Sequence, residues 1–221
     1  MTMSGNCEVK FFNISSGGVL LISGGSTAAI RVLAGGQING FTRSEDEYRA
    51  DGFTHGVIHS NTYVQHRTTA TLYNSTTSAV GTEIRYGGFM DVRNSGWAGG
   101  TVVSSGGTLQ VVARGRVSGT TILKGGSMAL KSLGGATGGT VYGALTLSGS
   151  QHDGYGASDF CIASGGNVDV FSGGRLYGVT VKSGGRLTIS QQGGEASRGI
   201  IVSSGGIVNG FTFRKGKIYS S

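Results

Sequence analysis

Side chains able to do chemistry gather at a few places in this 221-residue chain. Segment 41–56 holds Glu45, Asp46 and Glu47, then Tyr48, Asp51 and His55. Segment 148–159 reads SGSQHDGYGASD and holds His152, Asp153, Tyr155 and Asp159. His59 follows His55 by four residues, so an extended chain puts both on one face, with Asp51 and His66 nearby. A zinc or calcium site needs three or four such ligands converging. No Cys joins this set and its spacing matches no tight motif, so we expect no metal and no cofactor. Paired carboxylates on one face could instead hydrolyse a polysaccharide, and Asp153, Asp159 and Asp169 are the residues such an enzyme would draw on. They read more simply as turn-forming, solubilising groups. A Ser/His/Asp triad has no distinctive order here, because Ser is everywhere and three of the four His fall between His55 and His66. No enzyme is expected; Glu45, Asp46, Glu47, His55, His152, Asp153 and Tyr155 are candidate interaction-loop residues.

Charge is uneven. Residues 1–110 carry 7 basic and 7 acidic side chains, and residues 111–221 carry 11 and 4, so the whole net charge of +7 lies in the second half. Arg214, Lys215 and Lys217 form a basic patch at its end. Such a patch attracts anionic surfaces. Aromatic interleaving for base stacking is thin around it, which argues against sequence-specific nucleic-acid recognition.

The elements that must carry these residues follow from composition and repeat. Glycine is 44 of 221 residues, proline is absent and charged residues are 13%. Without proline or a three-residue glycine period, collagen is excluded. Glycine costs about 1 kcal/mol in a helix interior, so long helices are excluded too. No apolar run of about 18 residues exists to span a membrane as a helix. Residues 1–10 lack a basic start followed by an apolar run, so no secretory signal is expected.

The doubled glycines set a phase: TVVSSGGTLQV from Thr101, TTILKGGSMAL from Thr120, FCIASGGNVDV from Phe160, VTVKSGGRLTI from Val179 and IIVSSGGIVNG from Ile200. Similar copies start at Phe12, Ile30 and Thr82, and a shortened one runs from Val141 to Leu147. The anchors Ile14, Val32, Ile84, Val103, Ile122, Val141, Ile162, Val181 and Val202 are 18, 52, 19, 19, 19, 21, 19 and 21 residues apart. The 52-residue gap from Val32 to Ile84 is expected to hide a degenerate copy centred on Ile58, with Val64 in its downstream apolar slot. A second glycine site lies between anchors, at Gly96, Gly115, Gly134, Gly173 and Gly193.

Apolar and polar residues alternate on both sides of each GG, so one face of each strand is buried. A 19-residue unit cannot close its own core, whereas stacked copies can. The expected fold is an all-β, right-handed parallel β-helix (a β-solenoid) of roughly ten coils forming a single domain over 1–221. Residues 1–11 and 210–221 are expected to cap it, with 41–56 and 148–159 as loop insertions. Asp91, Gln110, Ala129, Thr146, Asp169, Thr188 and Asn209 should form an outward ladder. Cys7 and Cys161 fall about eight coils apart, too far for a disulfide, and Cys161 should point outward.

The run GTVVSSGGTLQVVARGRVSGTTILKGG, residues 100–126, resembles the AIDA-type repeats of bacterial autotransporter adhesins. The likeness is best over 82–147 and 160–213 and fails over 41–81. It implies a β-helical passenger at the cell surface or secreted, acting in adhesion, autoaggregation and biofilm formation. Its partners would be itself, or host and bacterial surface glycans and proteins. It also implies a glycosyltransferase partner and makes Ser15, Ser16, Ser104, Ser105, Ser203 and Ser204 candidate sugar acceptors. Family passengers are followed by a barrel, and no C-terminal series of barrel strands is recognised here, so the chain reads either as an excised passenger portion or as a stand-alone protein. The alternatives are a polysaccharide-degrading β-helix enzyme and a phage or secreted structural fibre.

Overall fold

The computed structural model describes backbone and side chains over residues 79–149, 155–190, 194–196 and 199–210; beyond these it describes the backbone of the strands within 2–72 and at 78, 197–198 and 218–220. Every regular element among the described residues is a β-strand. They form an eleven-stranded and a sixteen-stranded ladder, whose strand pairs are parallel, with 19 residues the commonest register step.

One coil shows the path. Phe89–Val92 lies in the first ladder. The chain turns at Asn94 and Ser95, runs through Trp97–Gly99 in the second ladder, bends at Gly100 and continues as Val102–Val103. It turns again at Gly106–Gly107 and re-enters the first ladder as Thr108–Val111. In later coils the two short strands fuse into bent seven-residue strands, Arg116–Ile122, Gly135–Val141, Gly156–Ile162 and Arg175–Val181.

The anchors stand in one file. Ile84, Val103, Ile122, Val141, Ile162 and Val181 are successive register partners and each is completely buried. The backbone file continues to Val202 and back through Val64 and Val32 to Ile14. Parallel files fill the rest of the interior. Met90, Leu109, Met128, Leu145, Val168 and Leu187 form one, and Val92, Val111, Leu130, Leu147, Val170 and Ile189 another. Each such side chain contributes about 1.5–3 kcal/mol by leaving water, and most of that is realised only when the next coil covers it.

The glycine pair has two separate causes. Gly107 N–H donates to the Ser104 carbonyl at 2.9 Å, closing a tight turn in which Gly106 takes φ +74. That is a type II arrangement, which wants glycine at its third position. Gly107 itself is not left-handed, but a Cβ on it would stand 2.3 Å from the Ile84 carbonyl oxygen of the preceding coil. The first glycine serves the turn; the second lets two coils stack.

Several expectations need correction. The hidden copy is anchored by Val64, not Ile58: Val64 pairs with Val32 and Ile84, while Ile58 pairs with Thr27 and Ala79, half a coil earlier. The downstream slot is Ala70, partner of Ile38 and Met90. Spacing misled because the step from Val32 to Val64 is 32 residues and the next is 20. At the other corner, Gly174 and Gly194 are the equivalents of Gly115 and Gly134, one residue beyond Gly173 and Gly193. Each sits with its ideal Cβ against the last carbonyl of the strand one coil back.

Strand Gly156–Ile162 begins inside the segment read as the second insertion. Six residues separate Leu130 from Ala136 and ten separate Leu147 from Ala157, its partner one coil on. The insertion therefore amounts to four residues at one corner. The terminal segments read as caps also carry ladder strands: Thr2–Ser4 and Glu8–Lys10 pair with Val19–Ser23 and Ser26–Ala28, and Ile218–Ser220 pairs with Glu195–Val202. Of the segment read as the first insertion, 41–56, Phe41 ends strand Gln37–Phe41 and residues 42–56 lie outside the described residues.

Candidate functional site

The outward ladder runs in register from Asp91 through Gln110, Ala129, Thr146, Asp169 and Thr188 to Asn209. Asp91 is nearly buried, and its carboxylate accepts from Arg93. Asn167 Nδ2 donates to Asp169 Oδ2 at 2.6 Å. Asp159 lies in the other ladder, so Asp159 and Asp169 stand on different faces and form no carboxylate pair. Asp153 lies outside the described residues. Among the described residues no three His, Cys, Asp or Glu gather to hold a metal.

The glycine corner presents a file of hydroxyls. Its second turn position is Ser105, Ser164, Ser183 and Ser204 in four coils, all exposed. Three of these hydroxyls lean along the rod over the next coil's corner glycine. Ser105 Oγ lies 2.5 Å from an ideal Cβ on Gly125, Ser164 Oγ 2.7 Å from one on Gly184, and Ser183 Oγ 2.6 Å from one on Gly205. The absent methyl groups leave each hydroxyl its place. The corner glycines are themselves joined across coils, Gly106 N–H to the Gly125 carbonyl at 2.8 Å and Gly184 N–H to that of Gly205 at 2.9 Å. The file is therefore held by backbone, and equivalent hydroxyls on adjacent coils repeat at about 4.8 Å.

The paired serines of the SSGG motif differ. Ser104 occupies the first turn position, half-buried, and its hydroxyl donates to Glu83 Oε1 at 2.8 Å. Glu83 Oε2 accepts from Arg85 Nη2 at 2.8 Å. The Arg85 contact holds the Glu83 carboxyl below the ordinary glutamate range; partial burial opposes this, and the Ser104 hydroxyl adds to it. Ser203 is likewise half-buried, whereas Ser105 and Ser204 are exposed. Ser164 and Ser183 belong to no serine pair; their signal in the sequence is a single Ser directly before GG. Ser15, Ser16, Glu45, Asp46, Glu47, His55, His152, Arg214, Lys215 and Lys217 lie outside the described residues. The described cations of the second half, among them Arg114, Lys124, Lys131 and Arg186, are distributed over both corners and both ladders. Cys161 carries a free thiol and is half-exposed between buried Phe160 and Ile162.

Tyr155 is the one candidate loop residue placed. The Arg116 guanidinium stands over its ring, 5.3 Å from the centroid. Both border a cavity of about 340 Å³ on the outer side of the second ladder, together with Thr137, Ser158, Asp159 and Tyr177. No described helix is long and apolar enough to cross a membrane.

The sequence matches no protein-family model and no curated protein. Among solved structures, the chain is similar to the crystal structure of the TibC-catalyzed hyper-glycosylated TibA55-350 fragment, with TM-score 0.55 and 24% identity. The likeness covers 100% of this chain and 91% of that one. At that identity it establishes a shared fold, the parallel β-solenoid.

Proposed function

We propose that this chain is a non-enzymatic, adhesin-type rod, displayed at a bacterial surface or secreted, whose exposed corner serines receive sugar. The carrying observation is the file of Ser105, Ser164, Ser183 and Ser204, held by glycine corners along a continuous ladder. A similar solenoid, the TibA fragment, is hyper-glycosylated by TibC, which supports the acceptor role and a glycosyltransferase as partner. A rod whose outward ladder is polar in all but one of its described coils is suited to adhesion and self-association, because many weak contacts add when they are held at fixed spacing. Biofilm formation and autoaggregation belong to the same reading.

Co-expression with a bacterial protein heptosyltransferase, followed by intact mass and site mapping, tests the acceptor role. Sugar on Ser105, Ser164, Ser183 or Ser204, with Ser104 and Ser203 unmodified, is the expected result; an unmodified chain refutes it. Settling of cells that display the chain, against cells that do not, tests self-association.

A further inference from the structure

We infer that the cavity beside Tyr155 binds a neutral pyranose of a glycan. This deepens the adhesion reading, on which its biological role rests. Four departures from the repeat coincide there. First, the outward column that carries Trp97 and Arg116 on two coils carries Gly135 and Gly156 on the next two. Side chains are thus missing from two adjacent coils, and both glycines, themselves buried, line the cavity beside Arg116 and Tyr155.

Second, Tyr155, directly before strand Gly156–Ile162, lines this place. Its Cδ1 lies 3.8 Å from an ideal Cβ on Gly135. Third, Tyr177 follows Ser158 in the next outward column and closes the far side. Fourth, Asp159 sits at the bend of the second ladder, where Gly81, Gly100, Gly119, Gly138, Gly178 and Gly199 serve the other described coils. Its φ of +58 is left-handed, a conformation that disfavours any side chain, though Asp less than most. A strained residue kept where glycine fits better points to use of its side chain.

The lining fits a sugar ring better than the alternatives. It carries one guanidinium and one carboxylate, so its charge sums to zero, and the guanidinium is already engaged with the Tyr155 ring. A phosphate or polyanion needs several converging donors and no facing carboxylate. A purely apolar ligand would leave Asp159, Thr137 and Ser158 desolvated. A pyranose has C–H faces for the tyrosine rings and hydroxyls for Asp159, Thr137 and Ser158. The volume lies in the range of small-ligand clefts.

The test is titration calorimetry of the unglycosylated full chain with the methyl glycosides and disaccharides of glucose, galactose, mannose and N-acetylglucosamine, and with glucuronate as an anionic control. At least one neutral sugar is expected to saturate the site. Asp159→Gly restores the repeat's own residue, so it should fold at least as well as the parent yet lose about tenfold or more in affinity. Tyr155→Ala, which removes an outer wall and no core residue, should do the same. The inference is overturned if no neutral sugar binds, if glucuronate binds more tightly than every neutral sugar, or if both variants bind like the parent. Failure of serine glycosylation or of cell settling would overturn the rod reading and leave these isotherms unchanged.

Discussion

Phe160 occupies the room that a side chain on Gly139 would need. The two are register partners on adjacent coils, and Phe160 Cε1 lies 2.8 Å from an ideal Gly139 Cβ. The column they share holds Thr82, Thr101 and Thr120 before them and Val179 and Ile200 after. One coil gives up its side chain and the next supplies the largest fully buried one among the described residues.

Phe160→Ala should cost about 3–5 kcal/mol, because the void it leaves has only a glycine opposite. Gly139→Ala should not rescue it. The added methyl would also stand 2.2 Å from the Thr120 carbonyl oxygen, which truncating Phe160 does not move. A double-mutant cycle by urea unfolding should therefore show only a partial stabilising coupling, because the clash with the Phe160 ring is gone and the clash with the Thr120 carbonyl stays.

Two kinds of glycine should separate by alanine substitution. At Gly166 a Cβ would lie 2.0 Å from the Val141 carbonyl oxygen, whereas at Gly138 nothing lies within 4 Å and only φ +64 opposes a side chain. Gly166→Ala should cost about 3 kcal/mol or more as coils are pushed apart. Gly138→Ala should cost about 1–2 kcal/mol. Paired denaturant melts decide the order.

Thr82, Thr101 and Thr120 are completely buried, and their hydroxyls have no hydrogen-bond partner. Thr120→Val keeps the shape and removes the stranded oxygen, so it should stabilise by about 1–2 kcal/mol. A melt no more stable than the parent would contradict this.

Glu83 links the rod to pH. Its carboxyl is held below the ordinary glutamate range, chiefly by Arg85, so the folded state binds a proton less readily than the unfolded chain. The resulting stability is complete above that ordinary range and disappears as pH falls through the lowered value. Ser104→Ala should raise the Glu83 midpoint in a carboxyl NMR titration, and Glu83→Gln should flatten the stability profile over the same acidic window.

Much of the fold was legible because it repeats. The 19-residue step fixed the anchor file from Ile84 to Val202, and alternation fixed which residues face inward. Legibility failed where the step changed. Between Val32 and Ile84 the unequal intervals hid Val64, and at Gly173 a glycine pair concealed which member meets the neighbouring coil. The candidate cavity was not legible at all. Asp159 looks like any turn aspartate, and Gly135 and Gly156 like any glycine, until register sets them on adjacent coils. Composition reports how many glycines there are; only stacking reports which of them stand where a side chain is missing.

The second glycine of each corner has a consequence for the lineage of such chains. Since it is required by the coil before it, a corner cannot drift alone, and a copy pasted from elsewhere in the same gene arrives already matched. Lengthening by whole-unit duplication is then the easy route, and reach can change in increments of about 4.8 Å while the seam between old and new material needs no fresh solution.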